Sequence, residues 1–209
     1  MNVLVANPKG GSGKTTLATN FAGYFAKAGE SVILRDLDRQ QSATRWLERR
    51  PILLPKICSQ NNKSKQQPVK TDWLITDSPA GLKEEKLSDA VKDADCVIVP
   101  IQPSAFDIGA TSGFLKILIE EKAIRKNKTF VALVGMRVNS RTLSAISLTK
   151  FMAESDFEVI TYLRNAQAYI NAAEEGLSIF DMHKSVVESH VDQWNPLLNW
   201  VKNISNQIK

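Results

Sequence analysis

Cysteine and histidine are scarce in this chain, with two of each in 209 residues, and that scarcity removes whole classes of chemistry. Cys58 and Cys96 lie far apart and Cys96 falls inside an apolar run, so neither a disulfide framework nor a metal knuckle is expected. His183 and His190 have Asp181, Glu188 and Asp192 around them, but their seven-residue spacing on an amphipathic helix reads as a polar face, not a metal cluster. No apolar run approaches the length of a membrane span. The chain opens on a strand-like segment without a basic and hydrophobic leader, which leads us to expect a cytosolic protein. Internal repeats are absent, and nothing resembles a linker between domains. The longest polar stretch, Ser59 to Pro68, is rich in Gln, Asn, Lys and Ser and reads as a surface loop. With 43% hydrophobic residues, the chain has enough to bury a substantial core, and one domain covering 1–209 is expected.

What is present begins at the N-terminus. The apolar run Val3-Leu4-Val5-Ala6 leads directly into Asn7-Pro8-Lys9-Gly10-Gly11-Ser12-Gly13-Lys14-Thr15-Thr16. Small residues around a tight turn let successive backbone N–H groups converge on an anion, and a following helix points its positive end at the same place. Lys14 then reaches the β and γ phosphates of a nucleotide, and the Thr15 hydroxyl suits Mg²⁺. The loop departs from the pattern GxxxxGK(S/T), because Pro8 stands where the first glycine belongs and Lys9 precedes the glycine pair. Two lysines at one loop repel each other unless a highly charged phosphate lies between them.

Runs suited to buried parallel strands recur at Val3 to Ala6, Val32 to Leu34, Trp73 to Ile75, Cys96 to Ile101, Phe130 to Val134 and Val159 to Ile160. Helical patterns alternate with them. The first helix carries Leu17, Phe21, Tyr24, Phe25 and Ala28 on one face and ends at Gly29, a residue suited to a left-handed cap. Ala105 to Arg125 reads as one long helix. Alternation of this kind predicts an α/β fold: a doubly wound, mostly parallel twisted sheet flanked by helices. Ligands of such sheets gather at the carboxyl ends of the strands, and the loop, Asp36 with Asp38, and Asp77 each follow a strand at that end.

These segments resemble the ParA/MinD family of dimerising P-loop ATPases. The glycine loop resembles that family's deviant Walker A box, KGGxxK(S/T). The run from Val32 to Gln40 resembles its second acidic box, although Arg39 stands where proline commonly follows the second aspartate. Trp73 to Gly81 resembles the Walker B strand and turn, and Val97 to Ser104 the strand and proline loop after it. With Arg164-Asn165 through Gly176, the likeness covers nearly the whole chain.

The resemblance implies ATP and Mg²⁺ as ligands and assigns roles. Lys9, Gly10, Gly11, Ser12, Gly13, Lys14, Thr15 and Thr16 hold the phosphates; Thr15 and Asp77 serve the metal, with Asp36 supporting metal or loop geometry. Asp38 orients the attacking water. Lys9 reaches across a nucleotide sandwich to phosphates bound by a partner subunit, so ATP joins a homodimer and hydrolysis loosens it. Met136 with Arg137, and Arg164 with Asn165, fall just after strand patterns where family members contact adenine. Slow intrinsic turnover rises with a partner, which the resemblance makes a ParB-like or McdB-like adaptor.

Relatives of this size include plasmid partition ATPases, carboxysome positioners and the membrane-bound division regulator MinD. A net charge of +5 favours an anionic surface, and nucleoid DNA bound through its phosphates without sequence reading fits best, which implies a cytoplasmic, nucleoid-associated protein. Lys150, Arg164, Lys184 and Lys202 fall where family members carry DNA-binding residues, while Arg45-Arg49-Arg50 and Arg125-Lys126-Lys128 are alternative clusters. A MinD-like membrane role would rest on the last helix, with Leu197, Val201, Ile204 and Ile208 in a stripe near Trp194 and Trp200. Core packing explains that stripe better, because it is short and carries only Lys202 and Lys209 as basic residues, so no stable membrane association is expected. A tyrosine autokinase would need a tyrosine-rich tail, absent beyond Tyr169, and an iron–sulfur ATPase would need two loop cysteines.

Overall fold

The computed structural model describes residues 1–60, 71–82 and 84–208. Seven parallel strands form one sheet in the order β3-β2-β4-β1-β5-β6-β7. The strands are β1 (Asn2–Val5), β2 (Val32–Asp36), β3 (Cys58–Gln60), β4 (Trp73–Asp77), β5 (Cys96–Ile101), β6 (Phe130–Val138) and β7 (Glu158–Arg164). Helices alternate with them as α1 (Lys14–Lys27), α2 (Ser42–Arg49), α3 (Glu84–Lys92), α4 (Ala105–Glu120), α5 (Lys122–Arg125), α6 (Leu143–Ala153), α7 (Gln167–Glu174) and α8 (Lys184–Gln207). The predicted doubly wound sheet is therefore present, and all its pairings are parallel.

A strand covered on both faces must be apolar throughout, and all six residues of β5 are buried. Val3 and Val5 of β1 face one core with α1, α2 and α8, whereas Leu4 and Ala6 face a second with α3, α4 and α6. Aromatic rings knit the first core: Phe25 stacks on Trp73 at 3.7 Å, and Phe21 meets Trp194 edge-on at 5.4 Å. At the end of α1 the Gly29 N–H donates to the Ala26 carbonyl and the Glu30 N–H to that of Phe25, with Gly29 at φ 87.

The structure corrects several expected boundaries. β3 has no apolar run to betray it, because it is a three-residue polar edge strand held by pairing with Ile33 to Arg35. Ser59 and Gln60, expected in a loop, belong to it, while the rest of that stretch lies outside the described residues, as does Lys209. The helix expected from Ala105 to Arg125 breaks at Glu121, whose backbone is extended and whose carboxylate accepts from the Ser88 hydroxyl at 2.9 Å. Met136 and Arg137 lie within β6, not after it, and Arg164 is the last residue of β7.

The stripe on α8 lies in the core: Leu197, Val201 and Ile204 are buried with Trp194. Only Ile208 of that stripe is exposed. Among the described residues no helix is long and apolar enough to cross a membrane.

Candidate functional site

β1 sits mid-sheet between β4 and β5, so three strand ends carry their loops to one place. Val5 and Asp36 both stand level with Asp77 in the ladder, which brings the glycine loop and both acidic segments together. Asn7 is the buried foundation of the loop. Its Nδ2 donates to the Pro100 carbonyl at 2.8 Å and to Thr111 Oγ1 at 3.0 Å, while its Oδ1 accepts from the Lys9 N–H at 2.8 Å. The Gln102 amide also donates to the Gly11 carbonyl.

Gly13 must be glycine. Its φ of 105 is left-handed, and an added Cβ would lie 2.8 Å from the Cε of Met136. It caps α1 with no side-chain hydrogen bond, so the first N–H groups of that helix remain available to an anion.

Lys14 is buried, and its Nζ donates to the Lys9 carbonyl at 2.9 Å. Burial pulls its pKa below the ordinary value, against the attraction of Asp77 and Asp38. Lys9 itself is exposed. The Thr15 hydroxyl donates to Asp77 Oδ2 at 2.7 Å. The other oxygen of Asp77 is buried without a hydrogen-bond partner. Burial raises this carboxyl to about 7, with Asp36 and Asp38 adding to the rise and Thr15 and Lys14 opposing it. An orphaned, reluctant carboxylate oxygen beside a threonine hydroxyl is a donor set that a hard divalent cation completes. Among the described residues no group of three or more His, Cys, Asp or Glu is placed to hold a metal, so an ion here would take its further ligands from water or from phosphate oxygens. That includes the neighbourhood of His183 and His190.

Asp36 and Asp38 divide differently. Both oxygens of Asp36 are engaged, Oδ1 by the Asp38 N–H at 3.0 Å and Oδ2 by the Thr44 N–H at 2.9 Å. Of the two roles expected for Asp36, the geometry displays the loop one: it ties the acidic turn to the start of α2. Asp38 accepts from the Gln40 N–H through Oδ1 at 2.9 Å, and its second oxygen has no protein donor among the described residues.

Beside the P-loop a cavity of about 680 Å³ is lined by Thr16, Met136, Arg137, Arg164, Tyr169 and Arg49, among others. Met136 and Arg164, expected at the adenine, thus reach one cavity contiguous with the phosphate loop. Spacing did not reveal that Arg49 and Tyr169 line this cavity or that Asn7 anchors the loop. Asn7 at least adjoins the glycine loop, whereas nothing in the sequence connects Arg49 on α2 to this cavity.

The four lysines and arginines expected to contact DNA do not form one patch. Lys150 is on α6, on the other face of the sheet from α8, and lies 4.0 Å from Glu154. Arg164 lines the cavity beside the P-loop, and Lys184 pairs with Glu188 at 3.4 Å. Lys202 lies over the Tyr24 ring at 4.8 Å from its centre and donates to its hydroxyl. Arg50 leaves the first alternative cluster, being buried against Asp181 at 2.9 Å. Arg125, Lys126 and Lys128 are all exposed.

Residues 3–179 match the family model of the CobQ/CobB/MinD/ParA nucleotide binding domain. The chain is 32% identical over 200 residues to the maintenance of carboxysome distribution protein A of Gloeobacter kilaueensis, covering 91% of this chain and 89% of that one. Its counterpart in Halothiobacillus neapolitanus is 27% identical, covering 94% of each. Among solved structures, a plasmid partition protein of Borrelia burgdorferi bound to AMPPNP superposes with a TM-score of 0.72 at 16% identity, covering 95% of this chain and 98% of that one. By the matched family model, the 32% relative and the glycine loop set against Asp77, this chain belongs to the CobQ/CobB/MinD/ParA nucleotide-binding family.

Proposed function

We propose that the chain, acting as one domain over 1–209, is an ATP-dependent dimerising ATPase. It binds nucleoid DNA without reading sequence and positions or segregates a cargo, a carboxysome or a plasmid, with a McdB-like or ParB-like adaptor. The observation that carries this reading is the coupling of two lysines through one loop: buried Lys14 is bonded to the carbonyl of Lys9, while Lys9 is exposed at the loop surface. A loop so built holds a triphosphate with one lysine and offers the other to a second copy. The relatives named for carboxysome distribution favour cargo positioning. A MinD-like membrane role gains little from α8, whose apolar stripe is buried in the core except for Ile208.

Positioning and electrostatics supply most of the catalysis in phosphoryl transfer. Lys14 and the backbone from Lys9 to Thr16 hold the phosphates, and Thr15 with Asp77 would hold Mg²⁺. That ion, when bound, neutralises charge on the phosphate oxygens. Asp38 uses its free oxygen to orient the attacking water, and Asp36 keeps the turn that presents it. Loss of the γ phosphate then leaves the lysines of two subunits facing each other without a shared anion, which favours monomers.

The test is turnover in a reconstituted trio. ATP hydrolysis by the chain alone is expected to be slow and to rise severalfold when DNA and the adaptor are both present. Unchanged turnover in that mixture contradicts cargo positioning.

A further inference from the structure

Arg50, just past the end of α2, and Asp181, ahead of α8, form an ion pair whose side chains are 4% and 1% exposed. The guanidinium grips the carboxylate with two prongs, Nη1 to Oδ2 at 2.9 Å and Nη2 to Oδ1 at 3.4 Å. It also donates through Nε to the Pro55 carbonyl at 3.3 Å and through Nη1 to that of Gly176 at 3.5 Å. The same guanidinium lies 5.4 Å from the centre of the Trp46 ring, and the Trp46 indole donates to the Leu177 carbonyl at 3.0 Å. Gly176 approaches so closely that an added Cβ would lie 2.5 Å from the backbone of Arg49. A buried ion pair adds little net stability over an apolar pair of similar volume; its best-attested use is to select one arrangement of the elements it joins.

The segment 176–181 is fastened just as firmly to α1. The Ile179 N–H donates to Asn20 Oδ1 at 2.8 Å, and Asn20 Nδ2 donates to the Thr16 carbonyl in the first turn of α1 at 2.8 Å. Ser178 is buried against Gly23, where an added Cβ would lie 2.3 Å from its Oγ. Its N–H and its hydroxyl both donate to Asp181 Oδ2, at 2.9 and 2.6 Å. At the other end of α2, Asp36 Oδ2 accepts from the Thr44 N–H, and Asp38 sits in the turn between β2 and α2. The helix is thus tied at its start to the strand end bearing Asp36. At its far end it is tied, through Arg50 and Asp181, to the helix bearing Lys14 and Thr15.

We propose that the Arg50–Asp181 pair is a positioning device for hydrolysis, bracing α2 against α1 so that Asp38 keeps its place relative to the phosphates on the P-loop. Neither residue touches the ligand; both act through Asp38. The brace rests on the ATPase reading above. Placement matters more to the chemical step than to binding: a catalytic group displaced by about 1 Å can cost about a hundredfold in rate. Binding of ATP depends instead on Lys14 and the loop backbone, which the brace does not contribute to directly.

Phosphate release at saturating ATP and Mg²⁺, without DNA or adaptor, tests this on wild type, Arg50→Lys and the double variant Arg50→Met with Asp181→Asn. The double variant removes both charges together, so neither is left buried and unpaired, and the asparagine keeps an oxygen for Ser178. Its kcat should fall about tenfold while KM for ATP stays within about twofold of wild type. Arg50→Lys should lose only about threefold in kcat, again at unchanged KM, because an ammonium keeps the charge but not the fork. Wild-type kcat in both variants overturns the brace. So does a loss of kcat matched by an equal loss of ATP affinity, the mark of a loosened fold. Thermal melting without ligand gives the folded fraction of each variant. Should the double variant not fold, Arg50→Lys decides alone: a threefold loss of kcat at unchanged KM supports the brace, and wild-type kcat overturns it. If wild type itself releases no phosphate, the ATPase reading falls; if wild type turns over and the variants match it, only the brace falls.

Discussion

The glycine-loop end and the cavity end of this site are built in opposite ways. At the loop end a single contiguous segment, Asn7 to Thr16, supplies nearly everything, with its backbone pinned by Asn7 and Gln102 and its lysine tied to the Lys9 carbonyl. The cavity end borrows Arg49 from α2, Met136 and Arg137 from β6, Arg164 from β7 and Tyr169 from α7. One end is a backbone device that polarises an anion at a helix terminus. The other is a tertiary juxtaposition of side chains, free to vary one residue at a time.

The contrast is sharpest under Lys14→Ala, the largest effect expected. Removing the buried ammonium should abolish binding of ATP and of tripolyphosphate alike, by isothermal titration calorimetry. Retention of tight ATP binding by this variant would mean that the cavity end alone anchors the ligand, reversing the comparison.

Next in size is the pH dependence carried by Asp77. Its folded pKa of about 7 lies above the unfolded value of 3.8, so the native state binds the extra proton between them. The ligand-free protein should therefore lose stability as pH rises from about 4 to about 7, by at most about 4 kcal/mol. Denaturant unfolding at pH 5 and pH 8 should show this loss in wild type, and Asp77→Asn should flatten it. Equal slopes in the two proteins would show that Asp77 is not strained by its burial.

The smallest effect tests the opposite end. Arg137→Gly should stabilise the ligand-free fold by up to about 1 kcal/mol, because glycine accepts the left-handed backbone without a Cβ clash. A lower melting temperature in that variant would mean the arginine side chain packs structurally and its backbone holds no strain.

How much of this was legible in the sequence follows the same division. The strand, the glycine loop and the alternation of apolar runs with helical patterns gave the parallel sheet, because each depends on local order along the chain. That Asp38 and Asp77 would lie beside the glycine loop was legible because each follows a strand at the carboxyl end. Arg49 was invisible as a cavity residue, since its place depends on α2 crossing to α7 through the Ala173 carbonyl. Arg50 read as one of a surface cluster, yet it is buried against Asp181, and no spacing connects residues 131 positions apart. β3 escaped because an edge strand of three polar residues is defined by its neighbour alone. Lys150, Arg164, Lys184 and Lys202 were expected from their place in the chain alone, and position along the chain does not say which side of the sheet carries each.

Light scattering of the Asp38→Ala protein with ATP and Mg²⁺ tests most directly the claim that a triphosphate is held between two copies. A mass of two chains, reverting to one when Lys9→Ala is added to the same protein, is the predicted result. A single-chain mass for Asp38→Ala with saturating ATP, or a dimer indifferent to Lys9→Ala, would contradict it.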